Sequence, residues 1–132
     1  MSESAMWESL RPVLKKLDPV RIESHMTGGV PDVNYTQGWI ELKFMDRWPP
    51  RGGPLRVDHF TTAQRAWHVR RRKAGGRSFV LLKVGETEWL LFDGAVAAVL
   101  LGKSVRERLY EVCTARWTRL PRTEEICTCL LQ

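Results

Sequence analysis

Asp32 follows Pro31 directly, and further on Glu41 and Lys43 stand with one apolar residue, Leu42, between them. In an extended strand alternate side chains share a side, so Glu41 and Lys43 project together while Leu42 points the other way. Val30 to Thr36 reads as the preceding strand, and Gln37-Gly38 turns the chain. If that turn pairs the two strands, the Asp32 carboxylate can approach that of Glu41. Two carboxylates held close repel, and one of them retains a proton unless a cation lies between them. A divalent ion relieves the repulsion. Mg²⁺ suits best, because one or two carboxylates, several waters and substrate phosphate oxygens complete its octahedron. A lysine beside such an ion donates to a phosphate oxygen or positions a water whose pKa the ion lowers. The chemistry within reach of these residues is phosphodiester hydrolysis. The competing reading is an exposed strand face with a Glu-Lys pair of almost no energetic consequence, next to a Pro-Asp turn.

These residues need elements to hold them. Met6, Trp7, Leu10, Val13, Leu14 and Leu17 recur at helical spacing, irregular near Pro12 and ended by Asp18-Pro19. "VRIES" from Val20 predicts a short strand, and a His-Met-Thr-Gly-Gly loop leads to the second strand. "WIELKFM" is the third, with Ile40, Leu42 and Phe44 on one face and Glu41 and Lys43 on the other. Pro49, Pro50, Gly52, Gly53 and Pro54 mark a long loop, and a second helix runs from about Thr62 to Gly75-Gly76. "RSFVLLKVG" and "EWLLFDG" predict two more strands. Ala95 to Cys113 then reads helical with a break at Ser104, and the tail from Thr123 adds a short helical turn. The order α-β-β-β-α-β-β-α predicts an α/β fold, a central mixed sheet flanked by helices. The 132 residues form one domain, a core of about 3–93 and a C-terminal helical extension of about 95–132.

Lys and Arg outnumber Asp and Glu by 21 to 15, a formal charge of +6 that favours nucleic acid as the partner class. The longest apolar run, Ala95 to Leu101, is far too short to cross a bilayer, and "MSESAMWESL" lacks a basic segment followed by an apolar one. A cytoplasmic protein with no membrane association is expected. Cys113, Cys127 and Cys129 make no paired framework and fit reduced thiols, with zinc binding at Cys127 and Cys129 less favoured than ordinary packing.

Gly28-Gly29-Val30-Pro31-Asp32 followed by Ile40-Glu41-Leu42-Lys43 resembles the PD-(D/E)xK nuclease superfamily, and within it the phage and bacterial branch of VRR-NUC domains and Holliday-junction-resolvase-like enzymes. The order of elements follows that family from near Glu3 to about Val84. The resemblance implies a restriction-endonuclease-like fold and a metal-dependent endonuclease acting on DNA, structure-specific for branched DNA in recombination, repair or phage DNA processing. Asp32 and Glu41 would bind Mg²⁺, for which Mn²⁺ can substitute, with the Leu42 backbone carbonyl completing the set. Lys43 would be the catalytic lysine, and Gln64 would touch that lysine or the substrate. A Glu from the first helix is often added. Glu3 and Glu8 are the candidates, with Glu23 on the first strand as an outsider. Glu3 falls in line with Met6, Trp7 and Leu10 and so faces inward, whereas Glu8 lies nearly opposite. The helix dipole alone would also favour an acidic residue at Glu3. The resemblance further implies a homodimer and, for a phage-encoded protein, the cytoplasm of a bacterial host. The alternative is a basic nucleic-acid-binding module whose charged hairpin does no chemistry.

In "TTAQRAWHVRRRKAGG" the residues Arg65, His68 and Arg72 share a helical face suited to tracking a phosphate backbone, with Arg71 and Lys73 as further DNA contacts. Phe60, Ala63 and Trp67 fall on the side that should pack on the sheet. Thr61 and Gln64 also fit a capping box, and basic residues at a helix C-terminus complement its dipole, so solvation alone accounts for part of the pattern. His25 is a minor candidate for ligand or general base, His59 has no comparable context, and Trp39, Trp48, Trp89 and Trp117 are expected in core or interface.

Overall fold

The computed structural model describes residues 2–23 and 28–132. Helix α1 (Glu3–Val13) starts where the Ser2 hydroxyl accepts the Ala5 N–H at 3.2 Å. Met6, Leu10 and Leu14 are fully buried, roughly 1.5–3 kcal/mol each, and they fix which way the helix lies. A 3₁₀ turn (Lys15–Leu17) follows. It closes on Asp18 in the left-handed conformation, φ 52°, and Pro19 forbids continuation. The chain then runs through β1 (Val20–Arg21), β2 (Val33–Tyr35), β3 (Gly38–Met45), α2 (Thr62–Lys73), β4 (Arg77–Val84) and β5 (Glu88–Asp93). It ends with α3 (Gly94–Leu100), α4 (Arg106–Val112), β6 (Ala115–Trp117) and α5 (Thr123–Leu130).

The strands form one mixed sheet in the order β1-β2-β3-β4-β5-β6. β3 and β4 are parallel and every other pair is antiparallel. A parallel pair needs a crossover, which the segment 46–61 and α2 supply. Strand alternation divides the core in two. Ile40, Leu42, Phe79 and Leu81 meet Met6 and Leu10 of α1 and Ile126 and Leu130 of α5. On the opposite face Val80, Leu82, Leu90 and Phe92 lie under Leu55, Phe60, Ala97 and Leu109. Because Ile40 and Leu42 belong to the first layer, Glu41 and Lys43 point into the second, the side that α2 covers. The expected α/β architecture, a mixed sheet with helices on both faces, is the one adopted.

The C-terminal region corrects the expectation of a purely helical extension. β6 joins the sheet beside β5, and α5 is an eight-residue helix rather than a short turn. Ile126, Cys127 and Leu130 of α5 are core, and the Leu130 carbonyl accepts the buried Tyr35 hydroxyl at 2.6 Å. The break at Ser104 is observed: α3 stops at Leu100, and the Ser104 hydroxyl donates back to the Leu100 carbonyl at 2.8 Å. β1 and β2 are shorter than predicted: "VRIES" pairs only at Val20 and Arg21, and the strand expected from Val30 to Thr36 covers Val33–Tyr35. All three cysteines are free thiols. Among the described residues no helix is long and apolar enough to cross a membrane.

Candidate active site

The ladder between β2 and β3 closes with Val33 opposite Ile40. One step further the same register sets Asp32 against Glu41, just where β2 ends and β3 continues toward Met45 with β4 as its one remaining partner. Asp32 is tied into this fork from both sides. Its main-chain carbonyl accepts the Ile22 N–H at 2.7 Å, and its Oδ2 accepts the Leu42 N–H at 2.8 Å. Arg21 adds a guanidinium nitrogen 4.0 Å from Oδ1. Residues of a strand send N–H and C=O to the same edge, so the Leu42 carbonyl leaves β3 on the side that holds Asp32. The approach to Asp32 depends on Gly29. At φ +87° it occupies a conformation that L side chains rarely adopt, and a Cβ there would press on the Ala63 carbonyl in the first turn of α2.

Glu41 is 1% exposed, and its Oε1 has no hydrogen-bond partner. Burial first, then the hydrogen bond and the charge of Asp32, raise its pKa well above the carboxylate range; Lys43 opposes the rise and Glu3 adds to it. Glu41 therefore keeps its proton when no cation neutralises the site. Lys43 is equally buried, its ammonium donating to the His59 carbonyl at 2.9 Å and to Gln64 Oε1 at 3.1 Å, with Glu41 Oε2 at 3.7 Å. Phe60 closes over it, ring centroid 5.5 Å away. Gln64 Oε1 also accepts the Thr61 N–H at 2.9 Å while Thr61 caps α2 in return, so capping and contact with the lysine coincide in one side chain.

Glu3, half-buried in the first turn of α1, is near enough for its charge to act on both Glu41 and His59. Glu8 instead lines a shallow groove with Arg11, Pro12 and Lys15, and Glu23 is exposed beyond the end of β1. His25 lies outside the described residues. His59 was missed by the sequence reading. Burial and then Lys43 lower its pKa, while Glu3, Asp58 and Asp32 act in the opposite sense, which puts its ring at the rim of the same cluster. Its main-chain role as acceptor for Lys43 has no sequence signature, because any residue supplies a carbonyl.

The basic helix requires a correction. Arg65, His68 and Arg72 do share a face, but that face is turned inward. His68 is 0% exposed with Nδ1 3.0 Å from the Ser78 hydroxyl, and burial, aided by Arg72, lowers its pKa to about 4. Arg65 donates to the Phe60 and Ala98 carbonyls at 3.2 and 3.0 Å. Arg72 donates to the Ser78 carbonyl at 3.0 Å and pairs with Asp93 at 2.9 Å. These three serve packing between α2, α3 and β4, and only Arg71 and Lys73 of the predicted contacts are exposed. Trp67 packs inward as expected, edge to face with Trp39.

The donor set of Asp32 and Glu41 suits a hard divalent cation. An orphaned, buried carboxylate oxygen beside a second carboxylate is what such an ion satisfies, and Mg²⁺ requires no more than two carboxylates from the protein. Among the described residues no three His, Cys, Asp or Glu side chains form a closed metal cluster.

No protein-family model matches the chain, and no curated protein does. Among solved structures the chain is similar to Hjc of Archaeoglobus fulgidus, described as a Holliday junction resolvase from an archaeal hyperthermophile. The identity is 19% over 69% of this chain and 72% of that one, with a TM-score of 0.45.

Proposed function

We propose that the protein is a metal-dependent endodeoxyribonuclease of the PD-(D/E)xK type, hydrolysing phosphodiester bonds in structured DNA. One observation carries the reading. Asp32 and Glu41 face each other where β2 and β3 part, with the buried ammonium of Lys43 3.7 Å from Glu41 and held by two further acceptors. A plain surface Glu-Lys pair would not bury both partners to about 1–2% exposure, because desolvating two charges costs more than their attraction returns.

Mg²⁺ or Mn²⁺ held by Asp32, Glu41 and the Leu42 carbonyl would supply Lewis-acid polarisation of the phosphate and lower the pKa of a bound water. The chain itself does the positioning. Asp32 is fixed by the Leu42 N–H through Oδ2, with the Arg21 guanidinium 4.0 Å from Oδ1. Lys43, oriented by His59 and Gln64, keeps a proton donor beside the place where a phosphate oxygen or the attacking water would lie. Glu3 adds negative charge at the rim, which favours a cation in the fork. A branched substrate and a homodimer that spans it belong to the same proposal, as does a bacterial or phage setting in the cytoplasm.

The experiment is cleavage of labelled four-way junction, flap, duplex and single-stranded DNA with Mg²⁺ or chelator, beside Lys43→Ala and Asp32→Asn. Metal-dependent cleavage of at least one substrate, lost in both variants, is expected. Cleavage that survives both substitutions, or DNA binding with no cleavage under any condition, would return the chain to the class of non-catalytic binding modules.

A further inference from the structure

Trp39 stands on β3 two residues before Glu41, on the same face of the strand. Its half-buried ring meets the buried Trp67 of α2 with centroids 5.5 Å apart and planes at 68°. Arg71, one turn further along α2, lays its guanidinium over both indoles, 4.5 Å from the Trp67 centroid and 5.8 Å from that of Trp39. Trp67, Arg70, Arg71 and Ala74 line an open groove of about 290 Å³ beside the stack.

The position of Arg71 is built into the backbone. Its carbonyl accepts the Gly76 N–H at 2.9 Å, and its stem lies against Gly76, where a Cβ would sit 2.6 Å from Cδ and 2.9 Å from Cγ. Any larger residue there would push the stem away. The charge around the stack is also unbalanced. Arg70 in the groove, Arg71, and Arg77 beside Gly38 have no carboxylate partner among the described residues, whereas the neighbouring Arg72 is paired with Asp93. A planar cation stacked on indoles, with uncompensated Arg70 and Arg77 beside it, suits a ligand that is anionic and has a flat π face. A nucleotide has both properties; an acidic peptide has only the first.

Distance along the strand relates this stack to the carboxylates. Two residues of β-strand span roughly 7 Å, about the reach of one nucleotide. A strand whose phosphate lies at Asp32 and Glu41 therefore brings an adjacent base to Trp39 and Arg71. A base within a duplex has both faces covered by its neighbours, so only an unpaired base can use such a surface.

We propose that Trp39, Trp67 and Arg71 form a stacking platform for an unpaired nucleobase next to the phosphate held at Asp32 and Glu41, so that the preferred substrate is single-stranded or frayed at the cut. The proposal takes its phosphate position from the nuclease reading above. The Arg71 guanidinium supplies the exposed plane, the indoles hold that plane still, and the surrounding cations bind the backbone.

The test is binding in chelator, without turnover, of a labelled oligothymidine and of the same sugar-phosphate chain carrying abasic residues. Stacking of one base contributes about fivefold or more, so the full protein is expected to prefer oligothymidine by at least that ratio. Arg71→Lys keeps the charge and loses the plane; Gly76→Ala keeps the arginine and displaces its stem. Both are expected to bring the ratio toward one. Equal binding of the two ligands, binding of neither, an undiminished ratio in Arg71→Lys, or Arg71-dependent binding of polyglutamate as tight as that of oligothymidine would each overturn the platform. A protein that shows the ratio yet cleaves no DNA keeps the platform and loses the nuclease reading; one that cleaves without the ratio does the reverse.

Discussion

Glu41→Gln is expected to stabilise the metal-free protein at neutral pH, although the residue removed lies at the centre of the site. Glu41 is 1% exposed with an unpartnered Oε1, and burial followed by Asp32 raises its pKa far above the ordinary 4.5. A carboxyl whose folded pKa exceeds its unfolded one contributes its full stability below about pH 4.5 and loses it as the pH rises toward the folded value. At pH 7 the unfolded chain has ionised across two and a half pH units that the folded chain has not followed. At about 1.4 kcal/mol per unit the penalty is about 3 kcal/mol. Gln keeps the shape, offers Asp32 a donor and never ionises, so it removes the penalty. For a chain of this length that corresponds to a rise in Tm of roughly 10 °C. Calorimetry in chelator should show a gap between variant and parent that is under about 1 kcal/mol at pH 5 and several-fold larger at pH 8. Excess Mg²⁺ should close the gap by stabilising the parent, about 2.7 kcal/mol at a hundredfold excess over Kd, and should do far less for the variant. A variant no more stable than its parent at pH 8, or a gap that does not grow between pH 5 and pH 8, would refute the reasoning.

His68, buried and neutral with a folded pKa of about 4 against an ordinary 6.5, leaves the protein fully stable above about pH 6.5 and costs it up to about 3 kcal/mol as the pH falls toward 4. Urea unfolding at pH 7 and pH 4.5 should show that extra loss in the parent and not in His68→Gln; parallel losses would exclude the buried neutral imidazole. Gly29→Ala should cost about 1–3 kcal/mol and weaken Mg²⁺-dependent stabilisation, because its φ and the Ala63 carbonyl both oppose a side chain. Gly28→Ala, which meets only the Ala63 Cβ at 3.7 Å, serves as the tolerated control. Arg72→Ala is expected to lower stability by about 1–2 kcal/mol through loss of the Asp93 pair and the Ser78 carbonyl bond. The salt dependence of DNA binding should stay unchanged in that variant, whereas Lys73→Ala should leave stability alone and reduce the salt slope.

Much of the site follows from local rules that act along the chain. A strand period of two puts Glu41 and Lys43 opposite Leu42 whatever they pack against. Thr61 and Gln64 specify a helix start at the right place. The phase of α1 separates Glu3 from Glu8 for the same reason, since the apolar stripe must face the sheet.

The three-dimensional arrangement decided what local rules leave open. In sequence the face of Arg65, His68 and Arg72 reads as the solvent side of α2, but the rotation of the helix was set by partners far along the chain: Ser78 on β4, Asp93 at the end of β5 and the Ala98 carbonyl on α3. Those contacts turned Arg65, His68 and Arg72 inward and left Arg71 outside. β6 is only three residues long, too short to display alternation, and became a strand because β5 offered an unpaired edge. The acceptor that orients Lys43 is a backbone carbonyl, a group every residue carries, so only the path of the loop before α2 could bring it there. Residue order determined which chemical groups the protein owns and which side of each element they take. Tertiary packing decided which of those groups meet, because meeting depends on contacts between segments that no local period encodes.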